Sequence, residues 1–392
     1  MIILYQDKKD CCGCTACANI CPKKSISMRE DTEGFKYPAV DEAICSGCGL
    51  CKKTCAFRSS DSNLNSFQEP FVYAVKHSDE SIRMNSSSGG AFTAISDYIL
   101  NKQGVVYGVA FDDEMNVVHQ RAQTQDERNK FRESKYVQSD LSNVFQKVGS
   151  DLSSGITTLF TGTPCQCAGL KSYLQNKGIA QDKSILCDVV CHGTPSPRLW
   201  REHINFLMKK ENSRIKEYHC KCKIKGWHTH TERVVFENGK EDYTSLKSQM
   251  HKIIFYSHNA LRPACHGCLY ANFNRQSDIT IADFWNIEKT LADFDDNRGV
   301  SLVLINTTKG EEIFEQIHKN ILYIPSNLKD CMQPNLLKPT EVSNNREKFW
   351  NDYYEKGYYY IIKKYFNYGF GGQLKVSIKR IIKNFLHKVY KD

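Results

Sequence analysis

Beyond residue 70 the chain alternates between short apolar runs and segments whose apolar residues recur every three or four positions. Val72 to Val75, Val105 to Phe111 and Val117 to Gln120 have the length and β-branched content of strands. So do Thr157 to Phe160, Ile185 to Val190, Arg233 to Phe236, Asp278 to Ala282 and Leu302 to Ile305. Ala91 to Lys102 carries Phe92, Ile95, Ile99 and Leu100 at helical spacing. Cys167 to Asn176, Pro197 to Lys210 and Gly310 to Asn320 predict further helices. Strands interleaved with helices give a mixed α/β or α+β fold, with no order for the sheet. The first 58 residues lack both periods, and Ser59 to Gln68 is polar and turn-rich. The expected organisation is a small domain over 1–58, a linker over 59–70, a main body in two parts (71–150 and 151–340) and a tail over 341–392.

No apolar run approaches the roughly 18 residues that a bilayer span needs. The start, Met-Ile-Ile-Leu-Tyr-Gln-Asp, lacks the pattern of a signal peptide. A cytoplasmic protein with reduced thiols is therefore expected. Composition then changes the picture, because 18 of the 392 residues are Cys. Nine precede residue 56, and eight lie between 165 and 268. Clustered thiols in a reducing compartment suggest metal or redox chemistry before disulfides.

Cys11, Cys14, Cys17 and Cys21, followed by Pro22, give C-x2-C-x2-C-x3-C-P, the run of bacterial 4Fe–4S ferredoxins. Cys45, Cys48, Cys51 and Cys55 repeat it 34 residues later. In such a pair the fourth Cys points at the other cluster. The expected sets are Cys11, Cys14, Cys17 with Cys55, and Cys45, Cys48, Cys51 with Cys21. Two zinc knuckles are the alternative, but eight ligands in two matched copies favour iron–sulfur. Cys12 is an extra thiol, and Ala56 stands where the first copy has Pro22. Residues 5–58 resemble a two-cluster bacterial ferredoxin.

Two loops suit a phosphate-bearing cofactor. Ser86-Ser87-Ser88-Gly89-Gly90 leads into the helix at Ala91, whose N-terminus is an anion site. Thr161-Gly162-Thr163-Pro164 links a strand to a helix. Cys165, Cys191, Cys265 and Cys268 sit at strand ends or turns and could close one site. Spacing alone leaves zinc and a third cluster nearly equally open, with unrelated buried thiols as the further alternative. Cys12, Cys167, Cys187, Cys220, Cys222 and Cys331 are assigned to the core or left without a role.

An ordered series of motifs now carries a family resemblance. It runs Ser87-Ser88-Gly89-Gly90-Ala91-Phe92-Thr93-Ala94, Ser134-Lys135-Tyr136, Gly162-Thr163-Pro164-Cys165-Gln166, Cys191-His192-Gly193, Cys265-His266-Gly267-Cys268 and Ser277-Asp278-Ile279-Thr280-Ile281-Ala282-Asp283-Phe284-Trp285. Together these resemble the beta subunit family of coenzyme F420 hydrogenase/dehydrogenase over residues 71–305. The resemblance implies a flavin-binding mixed α/β domain, with FAD beside a 4Fe–4S cluster held by Cys165, Cys191, Cys265 and Cys268. It implies flavin contacts from Ser88, Gly89, Gly90, Lys135, Tyr136 and Thr163. Members with a ferredoxin-like N-terminus include plant chlorophyll-cycle reductases and proteins that accompany bacterial polysaccharide genes. The chain is most similar to the last group.

Clusters pass single electrons, whereas a flavin collects two and exchanges a hydride. The expected function is an FAD and iron–sulfur oxidoreductase. It would take electrons from a ferredoxin or a reductase and reduce or oxidise a small organic substrate, a polysaccharide precursor among them. A non-catalytic electron-transfer subunit serving a partner enzyme is the alternative. Lys135 is a candidate for charge stabilisation near flavin, Asp283 for accepting a hydrogen bond from flavin or substrate, and His192 for proton donation. His228, His230 and His266 are further proton-donor candidates, and Lys225-Gly226-Trp227 a candidate wall of the substrate site.

The net charge of +9 concentrates at the C-terminus, where residues 351–392 hold nine Lys/Arg and three Asp/Glu. Leu374, Ile378, Ile381, Ile382, Phe385 and Val389 form one helical stripe among lysines. That pattern suits an anionic membrane surface on the cytoplasmic side, an acidic protein partner, or equally a C-terminal helix packed on its own domain with a solvated Lys face. Nucleic acid is not expected, since no recognition module accompanies the basic residues.

Overall fold

The computed structural model describes residues 2–57 and 67–369. Most of the expected linker and the apolar stripe from Leu374 onward lie outside the described residues. The N-terminal domain is a duplicated unit. Its strands β1 (Ile26–Glu30) and β2 (Lys36–Val40) pair antiparallel, Ile26 opposite Val40. Short helices Ala16–Ile20 and Leu50–Lys53 follow the two cysteine loops.

The body is built on one eight-stranded sheet. Its strands are β3 (Phe71–His77), β4 (Val105–Phe111), β5 (Val117–Ala122), β6 (Thr158–Gly162) and β7 (Ser184–Val189). After β8 (Ile215–Cys222), β9 (Thr231–Phe236) and β10 (Glu241–Asp242), which form a separate antiparallel sheet, come β11 (Ile279–Asp283), β12 (Ser301–Ile305) and β13 (Ile321–Ser326). The order is β13-β3-β12-β11-β7-β6-β4-β5. Neighbours among β11, β7, β6 and β4 are parallel; the flanking pairs are antiparallel. The parts expected at 71–150 and 151–340 share this sheet, with Val105 opposite Thr158.

Burial explains these assignments. All five residues of β12 are buried, and β7 is buried from Ser184 to Asp188, as expected for strands covered on both faces. Helix Ala91–Asn101 buries Ile95 and Ile99 as expected, with Phe92 and Leu100 half-buried against the same core, and it buries Thr93, Ala94 and Ser96 as well. The reason is a buried cation. Arg128, 1% exposed, donates to the Thr93 carbonyl and to Ser96 Oγ, and pairs with Asp97 at 2.6 Å.

Residues 346–366, placed by the charge pattern in a basic tail, are instead part of the fold. Helix Arg346–Phe366 buries Phe349, Trp350, Tyr358, Ile361 and Ile362 against Leu199, Met250 and Ile254. Its tyrosines serve packing: Tyr358 hydrogen-bonds His203 at 3.0 Å. The N-terminal domain is fixed to the body through shared core residues Ala16, Ile20, Phe145 and Leu170. Around them Asn19 Nδ2 donates to the Ser142 carbonyl (2.9 Å), Lys36 pairs with Asp140 (2.6 Å), and Arg346 pairs with Glu33.

Candidate functional site

Two small cavities in the N-terminal domain are each walled by four repeat cysteines. Cys11, Cys14, Cys17 and Cys55 line one; Cys21, Cys45, Cys48 and Cys51 line the other. Left-handed backbone recurs at matched positions, Gly13 (φ 73°) and Thr15 (63°), then Gly47 (69°) and Gly49 (72°), curling each loop around its cavity. The cavities differ in setting. Cys48 is exposed, and the space around Gly47 and Gly49 is open. Cys14, in contrast, is buried against the helix Pro164–Lys177, where Gly169 leaves room for its sulfur.

A third set of thiols gathers at the carboxyl ends of the parallel strands. Thr163 caps helix Pro164–Lys177, so Cys165 stands in its first turn, with its Sγ 3.2 Å from Thr163 Oγ1. Cys191 lies just past β7. Cys265 occupies the 3₁₀ turn Pro263–Gly267, accepting from the Thr194 amide at 3.4 Å, and Cys268 follows the turn. Burial, then the nearness of Cys265, Cys165 and Cys268, pushes the Cys191 thiol well up. Burial and the other thiols push Cys268 up to about 12. Such mutual repulsion among buried sulfurs is relieved by a metal or cluster, so the donor set fits one.

Cys12 is buried in the core, as expected. It lies between the sets, its thiol next to those of Cys14 and Cys165. That contact, then burial, pushes the Cys165 thiol well up. The remaining extra thiols Cys167, Cys187, Cys220 and Cys331 are buried, and Cys222 is half-buried.

Beside the third set lies a cavity of about 440 Å³, with Thr163 and Cys191 in its wall. The cofactor-binding candidates Ser88, Gly90, Lys135 and Tyr136 line it too. The N-terminus of helix Ala91–Asn101 opens here with no side chain capping it. Ser88 is held by its hydroxyl, which donates to the Val300 carbonyl (2.8 Å), and by its carbonyl, which accepts from Lys223 Nζ (2.6 Å). Gly89 sits behind this wall, its amide donating to Ser301 Oγ (2.9 Å). The loops, the helix end and the size fit a phosphate-bearing cofactor such as FAD.

The catalytic candidates take different places. Lys135 is half-buried and donates to the carbonyls of Lys130, Arg132 and Glu133, which fastens the loop beneath Tyr136. Burial pushes its ammonium down to about 8. His192 lines the cavity, with Nδ1 3.1 Å from Asn335 Oδ1 and Nε2 2.9 Å from His258 Nε2. Asp283 also lines it, paired with Lys221 and accepting from Trp227 Nε1 at 3.1 Å. His228 and His230 reach the cavity, whereas His266 is turned away onto the Thr340 carbonyl. The expected wall Lys225-Gly226-Trp227 is replaced by Lys221 and His228; Trp227 is buried behind Asp283 because its ring N–H needs that carboxylate. Lys221 and Arg262 stand in no motif. A buried Arg three residues before a C-x2-C pair was the one available signal.

Residues 157–329 match the model of the C-terminal part of the coenzyme F420 hydrogenase/dehydrogenase beta subunit, and residues 10–59 match that of a 4Fe–4S dicluster domain. The chain joins these two domains. Its iron–sulfur domain is 37% identical over 52 residues to an uncharacterized ferredoxin from Methanocaldococcus jannaschii. That match covers 13% of this chain and 66% of the relative, just under two thirds of its length. A chain of the xenon-derivatized F420-reducing NiFe hydrogenase complex from Methanosarcina barkeri is 18% identical, with a TM-score of 0.46, over 74% of this chain and 89% of that one. The protein is thus an iron–sulfur protein related to an oxidoreductase subunit. No helix among the described residues is long and apolar enough to cross a membrane.

Proposed function

We propose that the protein is an FAD and iron–sulfur oxidoreductase that carries electrons from an external donor to a small organic substrate, a polysaccharide precursor by its likeness to proteins that accompany polysaccharide genes. The observation that carries the reading is the shared wall: Thr163 and Cys191 belong both to the cavity and to the region of the third cysteine set. In this reading Cys11, Cys14, Cys17 and Cys55 hold the inner cluster, and Cys21, Cys45, Cys48 and Cys51 the outer one. Cys165, Cys191, Cys265 and Cys268 hold a third, beside the cavity. Bound there, the clusters supply single-electron transfer and FAD supplies two-electron hydride exchange. Ser88, Gly90, Tyr136 and Thr163 would hold the cofactor, and the uncapped helix end at Ala91 would suit its phosphates. Lys221 holds Asp283 in place, and the His192–His258 pair offers a route for a proton.

The test is anaerobic purification followed by metal and flavin analysis. The expected content is about 12 Fe and one FAD per chain, from three clusters of four irons. About 8 Fe with zinc present would overturn the third cluster, and absence of flavin would overturn the cavity assignment. With the cofactors in place, flavin reduced by dithionite should be reoxidised by substrate without a partner protein. Failure across candidate metabolites would favour the electron-transfer role instead.

A further inference from the structure

Arg262 is 1% exposed and lies between the inner cysteine set and the third one. Its Nε donates to the Cys11 carbonyl (2.7 Å), one Nη to Gln138 Oε1 (2.8 Å), and the other to the Lys36 carbonyl (3.1 Å). That second Nη also stands 3.7 Å from Cys11 Sγ. The guanidinium lies over Tyr37, 4.2 Å from the ring centre, and Gly13 permits the approach, since a Cβ there would meet Nη1 at 2.7 Å. On its other side the Arg262 carbonyl accepts from the Cys265 amide (2.9 Å). Gln138 completes the junction by donating to the Cys12 carbonyl (2.9 Å).

These acceptors are neutral apart from the thiolate-forming sulfur, and among the described residues no carboxylate pairs with Arg262. A buried cation without a countercharge is strongly disfavoured, because it has lost its hydration and gained no opposite charge. The ionisable groups that act on it are Tyr37, then Cys11, Cys12 and Cys265. A 4Fe–4S cluster with four thiolates brings a charge of about −2, more negative when reduced. We propose that Arg262 is the shared countercharge of the inner and third clusters, a positioning residue that raises both reduction potentials and so favours electrons at that junction. This rests on the reading that both cysteine sets hold 4Fe–4S clusters.

The test is a redox titration of the loaded protein followed by electron paramagnetic resonance, in wild type, Arg262→Gln and Arg262→Lys. Neutralising the charge should lower the ratio of reduced to oxidised cluster about tenfold at a fixed potential, about 59 mV, for the inner and third clusters. The outer cluster should not move, and Arg262→Lys should restore most of the shift. Unchanged potentials in a fully loaded Arg262→Gln protein overturn the proposal. So does a Lys variant displaced as far as the Gln variant, because hydrogen-bond geometry would then be decisive. If the Gln variant cannot be loaded, rescue of iron and potentials by Lys supports the proposal and failure of rescue overturns it. Wild-type protein with fewer than three clusters refutes the underlying reading instead.

Discussion

At Gly89 an added Cβ would stand 2.1 Å from the Val75 carbonyl oxygen and 2.5 Å from the Ser301 amide nitrogen. Both are backbone atoms of adjacent strands, so neither can give way, and the loop from Ser86 to Gly90 lies flat on the sheet for that reason. Lys135 shows the opposite arrangement, a long side chain spent on local structure. With its ammonium pushed down to about 8 by burial, the folded protein loses that proton first as pH rises. The unfolded chain keeps it to about 10.4. Between pH 8 and 10 the unfolded chain therefore binds more protons, and this group favours folding increasingly as pH climbs. The Tm of wild type minus that of Lys135→Met should grow across this window. A difference that stays constant from pH 8 to 10 would show the ammonium to be solvated.

At the scale of elements, helix Pro164–Lys177 is the part on which the site depends most. Gln166 in its first turn accepts from the Thr163 amide through Oε1 (2.9 Å) and donates to Ser139 through Nε2 (3.0 Å). Gln166→Ala should cost about 1 kcal/mol, as cap losses do, and should loosen the turn that carries Cys165. Calorimetry and iron analysis would register a lower Tm with loss of up to one third of the iron; intact iron content would separate the cap from the thiol. The strands and helices of the sheet were legible because each carries its own period: Val105–Phe111 has the expected limits, and helix Ala91–Asn101 ends one residue early. Strands β8 and β13 were not legible, since Lys216, Glu217, Leu322 and Tyr323 are exposed and break the alternation. Helix Arg346–Phe366 hid its apolar face among lysines that point outward. At the site, the cysteines and glycines announced themselves by spacing. Arg262 and Cys12 did not, because their meaning comes from partners more than 100 residues away.

The whole molecule orders the three cysteine sets by depth. The set with exposed Cys48 lies outermost, the set joined to Cys165 through Cys12 lies inside, and the cavity comes last. An external protein donor should therefore enter at the outer cluster. In Cys45→Ser/Cys48→Ser, the inner and third clusters should remain, leaving about 8 Fe. Dithionite, a small reductant, should still reduce the flavin, while reduction by a ferredoxin should slow at least tenfold. Undiminished reduction by ferredoxin would place the entry point elsewhere.

Ala56 gives this order its asymmetry. The first copy ends on exposed Pro22, whereas in the second copy Ala56 is 3% exposed, packs on Ala168, and its carbonyl accepts from Tyr270 at 2.5 Å. Two halves with the same ligand spacing thus meet different surroundings, water on one side and protein on the other. Lower solvation penalises the extra negative charge of a reduced cluster, so even identical cubes would separate in potential. The duplication supplies two like stations, and the docking surface gives the pair its polarity.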